Sequence, residues 1–113
     1  MQIDMQSRHL PLTPSLQDYI RRRLHFAMGS QYQRIKRIMV RLSDTNGTRG
    51  GNDKRCQILV KLSGQADVVI EDTQSQISVA VDRAASRASR TVNRKIARIR
   101  NKALRAPLIS EPI

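Results

Sequence analysis

The feature that most constrains the fold of this 113-residue chain is a change of hydrophobic period near residue 74. In the segments that lead up to that point apolar residues alternate with polar ones, and after it they recur every three or four positions. The second pattern predicts one helix from about Gln74 to Arg105, ended by Pro107. Its apolar stripe consists of Ile77, Val81, Ala84, Ala88, Val92, Ile96 and Ile99. Such a stripe needs a partner layer to cover it, and the preceding segments supply one.

Four segments in the first part of the chain have the alternation typical of strands. They are Gln2–Arg8, Ile35–Leu42, Arg55–Leu62 and Ala66–Glu71. The turn Ser63-Gly64-Gln65 predicts a hairpin between the last two. Between the first two, Thr13 as a cap and Pro14 as the first helical residue predict a helix from about Ser15 to Met28. Residues 43–54 form the one long loop, including the Gly-rich stretch Gly47–Lys54.

The resulting order, β-α-β-β-β-α, predicts an α+β fold in which a four-stranded sheet carries two helices on one face. We expect one domain at residues 1–105 and a short mobile C-terminal tail at 106–113. The first helix carries Tyr19 and Phe26 near its apolar face, so both rings are predicted to be core residues. Tyr32 is predicted to lie in a loop.

The charge of the chain predicts a polyanionic partner. It has 21 Lys plus Arg, most of them Arg, against 9 Asp plus Glu, and a formal net charge of +12. Arginine favours bidentate contacts to phosphate. Nucleic acid is the first candidate and an anionic membrane surface the second.

A row of arginines on the last helix is the strongest functional signal. Arg83, Arg87, Arg90, Arg94, Arg98 and Arg105 lie on one side of a helical wheel, away from the apolar stripe. A solvated face usually alternates acids with bases, whereas this one places like charges four residues apart, which is unfavourable without an external anion. Further basic clusters are Arg21-Arg22-Arg23 on the first helix and Arg34, Lys36 and Arg37. With few aromatic residues available for base stacking, backbone contacts to structured RNA are favoured.

The residues give little support to catalysis or to a metal site. His9 and His25 have no companion ligands at metal spacing, and the loop lacks the Gly-Lys-Ser/Thr of a phosphate-binding loop. Cys56 is alone, which fits a buried strand residue in a reducing compartment. We therefore expect a cytoplasmic protein that is not an enzyme, takes no cofactor or small-molecule substrate, and lacks a signal peptide or membrane span.

The order and spacing of several segments resemble the ribosome hibernation-promoting factor and ribosome-associated inhibitor family over about residues 1–100. The resemblance lies in Ser7-Arg8-His9 with Thr13-Pro14, in Tyr32 to Leu42, in the hairpin glycine Gly64, and in residues 76–82 with the arginines that follow. Gln76 and Ser78 depart from the family pattern of Asp and Tyr.

The resemblance implies a β-α-β-β-β-α protein that binds the small ribosomal subunit between head and body. There its basic helices would contact ribosomal RNA (rRNA) and occlude the messenger and transfer RNA sites, leaving stored, inactive ribosomes under stress. By position, the rRNA contacts would be Arg8, Arg23, Arg87, Arg90 and Arg94. The helical wheel adds Arg22, Arg83, Lys95 and Arg98. We expect a monomer in solution.

Three other functions remain open at this point. A general double-stranded-RNA-binding module would bind any long duplex equally. A membrane-surface protein would bind anionic vesicles, although the apolar stripe lacks Trp and Phe. A module that binds acidic proteins would keep its partner after treatment with ribonuclease.

Overall fold

The computed structural model describes residues 1–45 and 53–110, with side chains described up to residue 101. Within these residues it confirms the predicted α+β order. The strands are β1 (Gln2–Arg8), β2 (Ile35–Asp44), β3 (Lys54–Leu62) and β4 (Val68–Gln74). The helices are α1 (Pro14–Met28), followed by a 3-10 turn at Gly29–Gln31, and α2 (Ile77–Ser110).

The four strands form one sheet in the order β1-β2-β3-β4. β1 pairs with β2 in parallel, so α1 is the crossover that returns the chain to the same end of the sheet. The other two pairs are antiparallel. Gly64 has φ 71°, in the left-handed region that a tight hairpin turn between β3 and β4 uses.

The core lies between the sheet and the two helices. Alternate residues of β2 and β3, such as Val40, Leu42 and Ile58, are buried on one face of the sheet. The apolar stripe of α2 covers them, and Val81, Ala84, Ala88 and Val92 are fully buried. α2 packs on β3 and β4, and α1 packs beside α2. Both helices therefore lie on one face, as predicted.

Residues that alternate with the core positions face the other side of the sheet. We call this side the open face, because none of the described helices packs on it. It is defined by Asp4, Gln6 and Arg8 of β1, Arg37, Met39, Arg41 and Ser43 of β2, Arg55, Gln57, Leu59 and Lys61 of β3, and Val69 and Glu71 of β4.

The start of α1 confirms the predicted cap. The Thr13 Oγ1 accepts a hydrogen bond of 3.2 Å from the backbone N–H of Leu16, and Pro14 occupies the first turn. Because the first N–H groups of a helix have no partner inside it, this bond and the proline fix where α1 begins.

Several predicted boundaries are wrong by a few residues. β4 continues to Gln74, which pairs with Lys54, so α2 begins at Ile77 instead of Gln74. β2 and β3 likewise extend into the predicted loop, of which residues 46–52 lie outside the described part of the chain. Pro107 does not end α2, which runs to Ser110, because a helix can accommodate a proline at the loss of one backbone hydrogen bond. The mobility expected of residues 106–113 stays a prediction.

Lys54 joins the ends of β2 and β3. Its Nζ lies 3.0 Å from Asp44 Oδ2 and 3.0 Å from Oδ1 of the fully buried Asp53. Hydrogen bonds to Asp53 and Asp44 raise the pKa of Lys54, so the ammonium stays charged. Among the described residues, no helix combines the length and the apolar character that crossing a membrane requires.

Candidate nucleic-acid interface

The predicted cationic side of α2 exists as an exposed row of side chains. We call Arg83, Arg87, Arg90, Arg94 and Arg98 the α2 arginine row. All five are exposed, on the side of the helix that does not touch the core. Arg83, Arg90, Arg94 and Arg98 form no ion pair with any carboxylate in the described part of the chain. Their charge is therefore available to an external anion.

Arg87 differs from its neighbours because the edge strand β4 holds it. Its Nη1 donates to the Glu71 carbonyl at 2.9 Å and lies 3.4 Å from Asp72 Oδ2. The expectation that nothing compensates the like charges of α2 is therefore wrong for this residue. Helical spacing alone could not show that β4 offers a carboxylate here. About half of the side chain, 48%, remains exposed.

A shallow groove of about 610 Å³ lies between α2 and β4. Its lining consists of Ile70, Arg87, Arg90, Thr91, Asn93 and Arg94. Lys95, also predicted as an RNA contact, is not among these residues, and its Nζ lies 3.4 Å from the Ala66 carbonyl in the hairpin. The groove thus places three arginines of the row around one open space that a phosphate backbone could enter.

Arg23 joins the two helices. Its Nη2 donates to Ser86 Oγ at 2.7 Å, and its Nε lies 3.3 Å from Asp82 Oδ1. The Tyr19 hydroxyl donates to the same carboxylate oxygen at 2.5 Å, and this bond raises the pKa of Tyr19. These contacts give Arg23, whose side chain is 22% exposed, a role in packing α1 on α2. Its rRNA contact stays a prediction.

Arg22, one residue earlier, points to solvent. It pairs with Asp18 at 3.0 Å one helical turn away, and both side chains are mostly exposed. Exposed pairs of this kind contribute little to stability and exchange readily. Arg22 can therefore turn to a phosphate at small cost.

Phe26 is not a core residue, contrary to the prediction. Its side chain is 87% exposed, and the guanidinium carbon of Arg23 lies 5.8 Å from its ring centroid. At about 100° per residue, Phe26 lies about 200° around the helix from the buried Leu24. This angle, which the sequence contains, indicates that the Phe26 ring points away from the core. Tyr19, by contrast, packs against the core as predicted. The exposed surface of α1 thus carries one large ring, that of Phe26, beside the guanidinium of Arg23.

Arg8 is not part of the helical surface. It ends β1 on the open face, on the opposite side of the sheet from α1 and α2. It lines a different cavity together with Arg41 and Arg55, two residues that the sequence did not single out. The strand register that brings them together is not visible in the alternation of any one strand.

Similar proteins support this interpretation of the fold. The N-terminal domain of Protein Y from Thermus thermophilus is 28% identical, with a TM-score of 0.69 over 83% of this chain and 98% of that domain. A ribosomal subunit interface protein from Coxiella burnetii has the same fold, with a TM-score of 0.73 at 18% identity over 86% of this chain and 99% of its own. No curated protein sequence matches the chain.

Residues 3–100 match the family model described as Sigma 54 modulation protein / S30EA ribosomal protein. The match includes α1, β2, β3 and β4 in full, all of β1 except Gln2, and α2 as far as residue 100. It confirms the resemblance that the sequence suggested. The chain belongs to the Sigma 54 modulation protein / S30EA ribosomal protein family.

Proposed function

We propose that this protein is a ribosome-associated translation inhibitor that binds the small ribosomal subunit in the cytoplasm. The observation that carries the proposal is the α2 arginine row, in which Arg83, Arg90, Arg94 and Arg98 have no carboxylate partner among the described residues. Membership of a family described as ribosomal protein supports ribosomal RNA as the polyanion.

The mode of binding follows from the residue types. Guanidinium groups spaced along a rigid helix neutralise successive phosphates and release counterions. The groove beside β4 lets the backbone approach Arg87, Arg90 and Arg94 together. Bound in the channel between head and body, the protein would occlude the messenger and transfer RNA sites, and the ribosome would stay inactive without any catalytic step.

Phe26 adds one contact of another kind. A ring that is 87% exposed beside Arg23 can stack on an unpaired base, and stacking removes its apolar surface from water. Folded RNA offers such bases in loops and bulges, and a regular duplex does not. Phe26 therefore favours structured ribosomal RNA over a general duplex-binding function.

Sedimentation with ribosomes tests the proposal. The protein is centrifuged through sucrose gradients with small subunits, with intact ribosomes and with a plain RNA duplex, at low and at several-fold higher salt. We expect salt-sensitive co-migration with small subunits and ribosomes, well above the duplex. Equal binding to the duplex would favour the general RNA-binding alternative, and no co-migration with any RNA would exclude both.

A matched pair of variants tests whether the α2 arginine row is the surface that binds the ribosome. Arg90→Gln, Arg94→Gln and Arg98→Gln together remove three charges from the α2 arginine row, and Arg34→Gln, Lys36→Gln and Lys61→Gln remove three exposed charges elsewhere. The first variant should bind ribosomes about 100-fold more weakly. The slope of log affinity against log salt concentration should be smaller in magnitude by about two to three for this variant. The control should keep most of the wild-type affinity. Equal losses in the two variants would show that only net charge matters.

A further inference from the structure

The open face of the sheet carries a second group of arginines, on the opposite side of the sheet from the helices. Arg8, Arg41 and Arg55 come from three adjacent strands, β1, β2 and β3. They line one open cavity of about 900 Å³, together with Gln6, Ser43 and Gln57 of the same face. The lining is completed by residues that do not belong to the open face: Met5, Ser7, Leu10, Leu12 and Leu42. The helices lie on the other side of the sheet.

The strand register explains why these side chains converge. Gln6, Arg41 and Gln57 are direct partners across β1, β2 and β3, and they form one row on the open face. Arg8, Ser43 and Arg55 form the next row. Arginine therefore alternates with serine or glutamine both across the strands, within each row, and along each strand, from one row to the next. Adjacent strands lie about 4.8 Å apart and adjacent rows about 7 Å apart, so the three guanidinium groups surround one area of phosphate size.

The charges of this group are not balanced within the described part of the chain. Arg55 pairs with Glu71 at 2.8 Å through its Nε, which leaves its two terminal nitrogens as donors. Arg8 and Arg41 are exposed, and no described carboxylate pairs with either. By contrast, Arg37, on the same face, is neutralised by Asp4 at 3.0 Å. An excess of about two positive charges thus remains over a cavity whose lining is partly polar and partly apolar.

We propose that Arg8, Arg41 and Arg55 form a second RNA-phosphate site, so that the protein binds RNA on both of its layers. Gln6, Gln57 and Ser43 would donate the neutral hydrogen bonds that accompany phosphate binding. The proposal rests on the proposed function, because it identifies a second segment of the same RNA partner as the ligand. A protein held between two RNA segments resists displacement better than one bound by a single face.

Ribosome binding by a double variant tests the site. Arg8→Gln with Arg41→Gln removes the two unpaired charges, and Arg34→Gln with Lys61→Gln is a control of equal charge. Lys61 lies on the same face, three rows or about 20 Å from Arg55 along β3. We expect about a tenfold loss of affinity for the first variant and a log–log salt slope smaller by about one and a half. Affinity and slope equal to those of the control would overturn the proposal while leaving the helical interface intact.

A titration that needs no ribosome separates the two proposals. An eight-nucleotide oligouridylate is added to 15N-labelled protein, and the arginine Nε–Hε resonances are followed by NMR. Saturable shifts at Arg8, Arg41 and Arg55 are expected whether or not ribosomes bind, and the shift at Arg55 should be lost in the double variant. Shifts confined to the α2 arginine row, or no shifts at all, would overturn the second site.

Discussion

The Tyr19 hydroxyl donates a 2.5 Å hydrogen bond to Asp82 Oδ1, joining α1 to α2 across 63 positions of sequence. The guanidinium of Arg23 approaches the same carboxylate oxygen at 3.3 Å. One acidic residue of α2 therefore holds two side chains of α1. This arrangement separates arginines that hold the fold from arginines that are free to bind.

Replacing Asp82 should destabilise the protein. Asp82→Ala leaves the Tyr19 hydroxyl without its partner and removes the carboxylate beside Arg23, which keeps its hydrogen bond to Ser86. We expect a loss of about 1–2 kcal/mol in the free energy of unfolding. Urea denaturation measures it. Asp18→Ala is the matched control, because it removes only the exposed pair with Arg22 and should cost less than about 0.5 kcal/mol. Equal effects in the two variants would contradict the role of Asp82.

The same contact predicts a pH dependence. The hydrogen bond to Asp82, followed by burial, raises the pKa of Tyr19 above its ordinary value of 10.0. Because the folded-state pKa is raised, this bond stabilises the protein fully below pH 10 and its contribution is lost as the pH rises through the folded pKa. Tyr32→Phe leaves Tyr19 as the one tyrosine of the chain. Its absorbance at 295 nm should then rise at higher pH than in the same variant that also carries Asp82→Ala, and equal midpoints would contradict the contact.

Cys56 should be chemically inert in the folded protein. Its side chain is fully buried, and burial, with a smaller effect of the Asp72 charge, raises the pKa of the thiol to about 12. A thiol reagent such as Ellman's should react only as fast as the protein opens. Since an unfolded thiol ionises near pH 9, wild-type stability should fall more steeply than that of Cys56→Ala between pH 9 and 12. Rapid labelling at pH 8 would contradict this.

Gly64 and Gly29 offer a matched pair of substitutions. Gly64 has φ 71°, whereas Gly29 lies in the right-handed region at φ −62°, and an added Cβ meets nothing within 4 Å at either position. Gly64→Ala should therefore cost about 1 kcal/mol through backbone conformation alone. Gly29→Ala should be neutral or slightly stabilising, because it reduces the entropy of the unfolded chain. Thermal denaturation of both variants checks the contrast.

Local patterns were enough to predict most of the fold. Alternation placed β1 at Gln2–Arg8, and the Thr13-Pro14 signal placed the start of α1 within one residue. The end of α2 was predicted wrongly, because a proline disfavours a helix without forbidding it. The start of α2 was wrong because long-range pairing with β3 extends β4 to Gln74.

The candidate sites were only partly predictable for the same physical reason. The α2 arginine row follows from the periodicity of a single helix, so it could be predicted from the sequence alone. The partners of Arg23 and Arg87 come from elements distant in the chain, Asp82 and Ser86 for the first and β4 for the second. The open-face group requires the register of three strands, which no single segment encodes.

Phe26 should matter for binding and not for folding. Because its ring is 87% exposed, Phe26→Ala should change the free energy of unfolding by less than about 0.5 kcal/mol. If the ring stacks on an unpaired base, the same variant should lose about 1–3 kcal/mol of ribosome affinity, whereas Phe26→Tyr should keep it. Phe26→Leu separates stacking from simple apolar contact, since leucine offers apolar area without a ring. Denaturation curves and salt-matched ribosome binding measure both quantities, and unchanged binding by Phe26→Ala would restrict the helical interface to phosphate contacts alone.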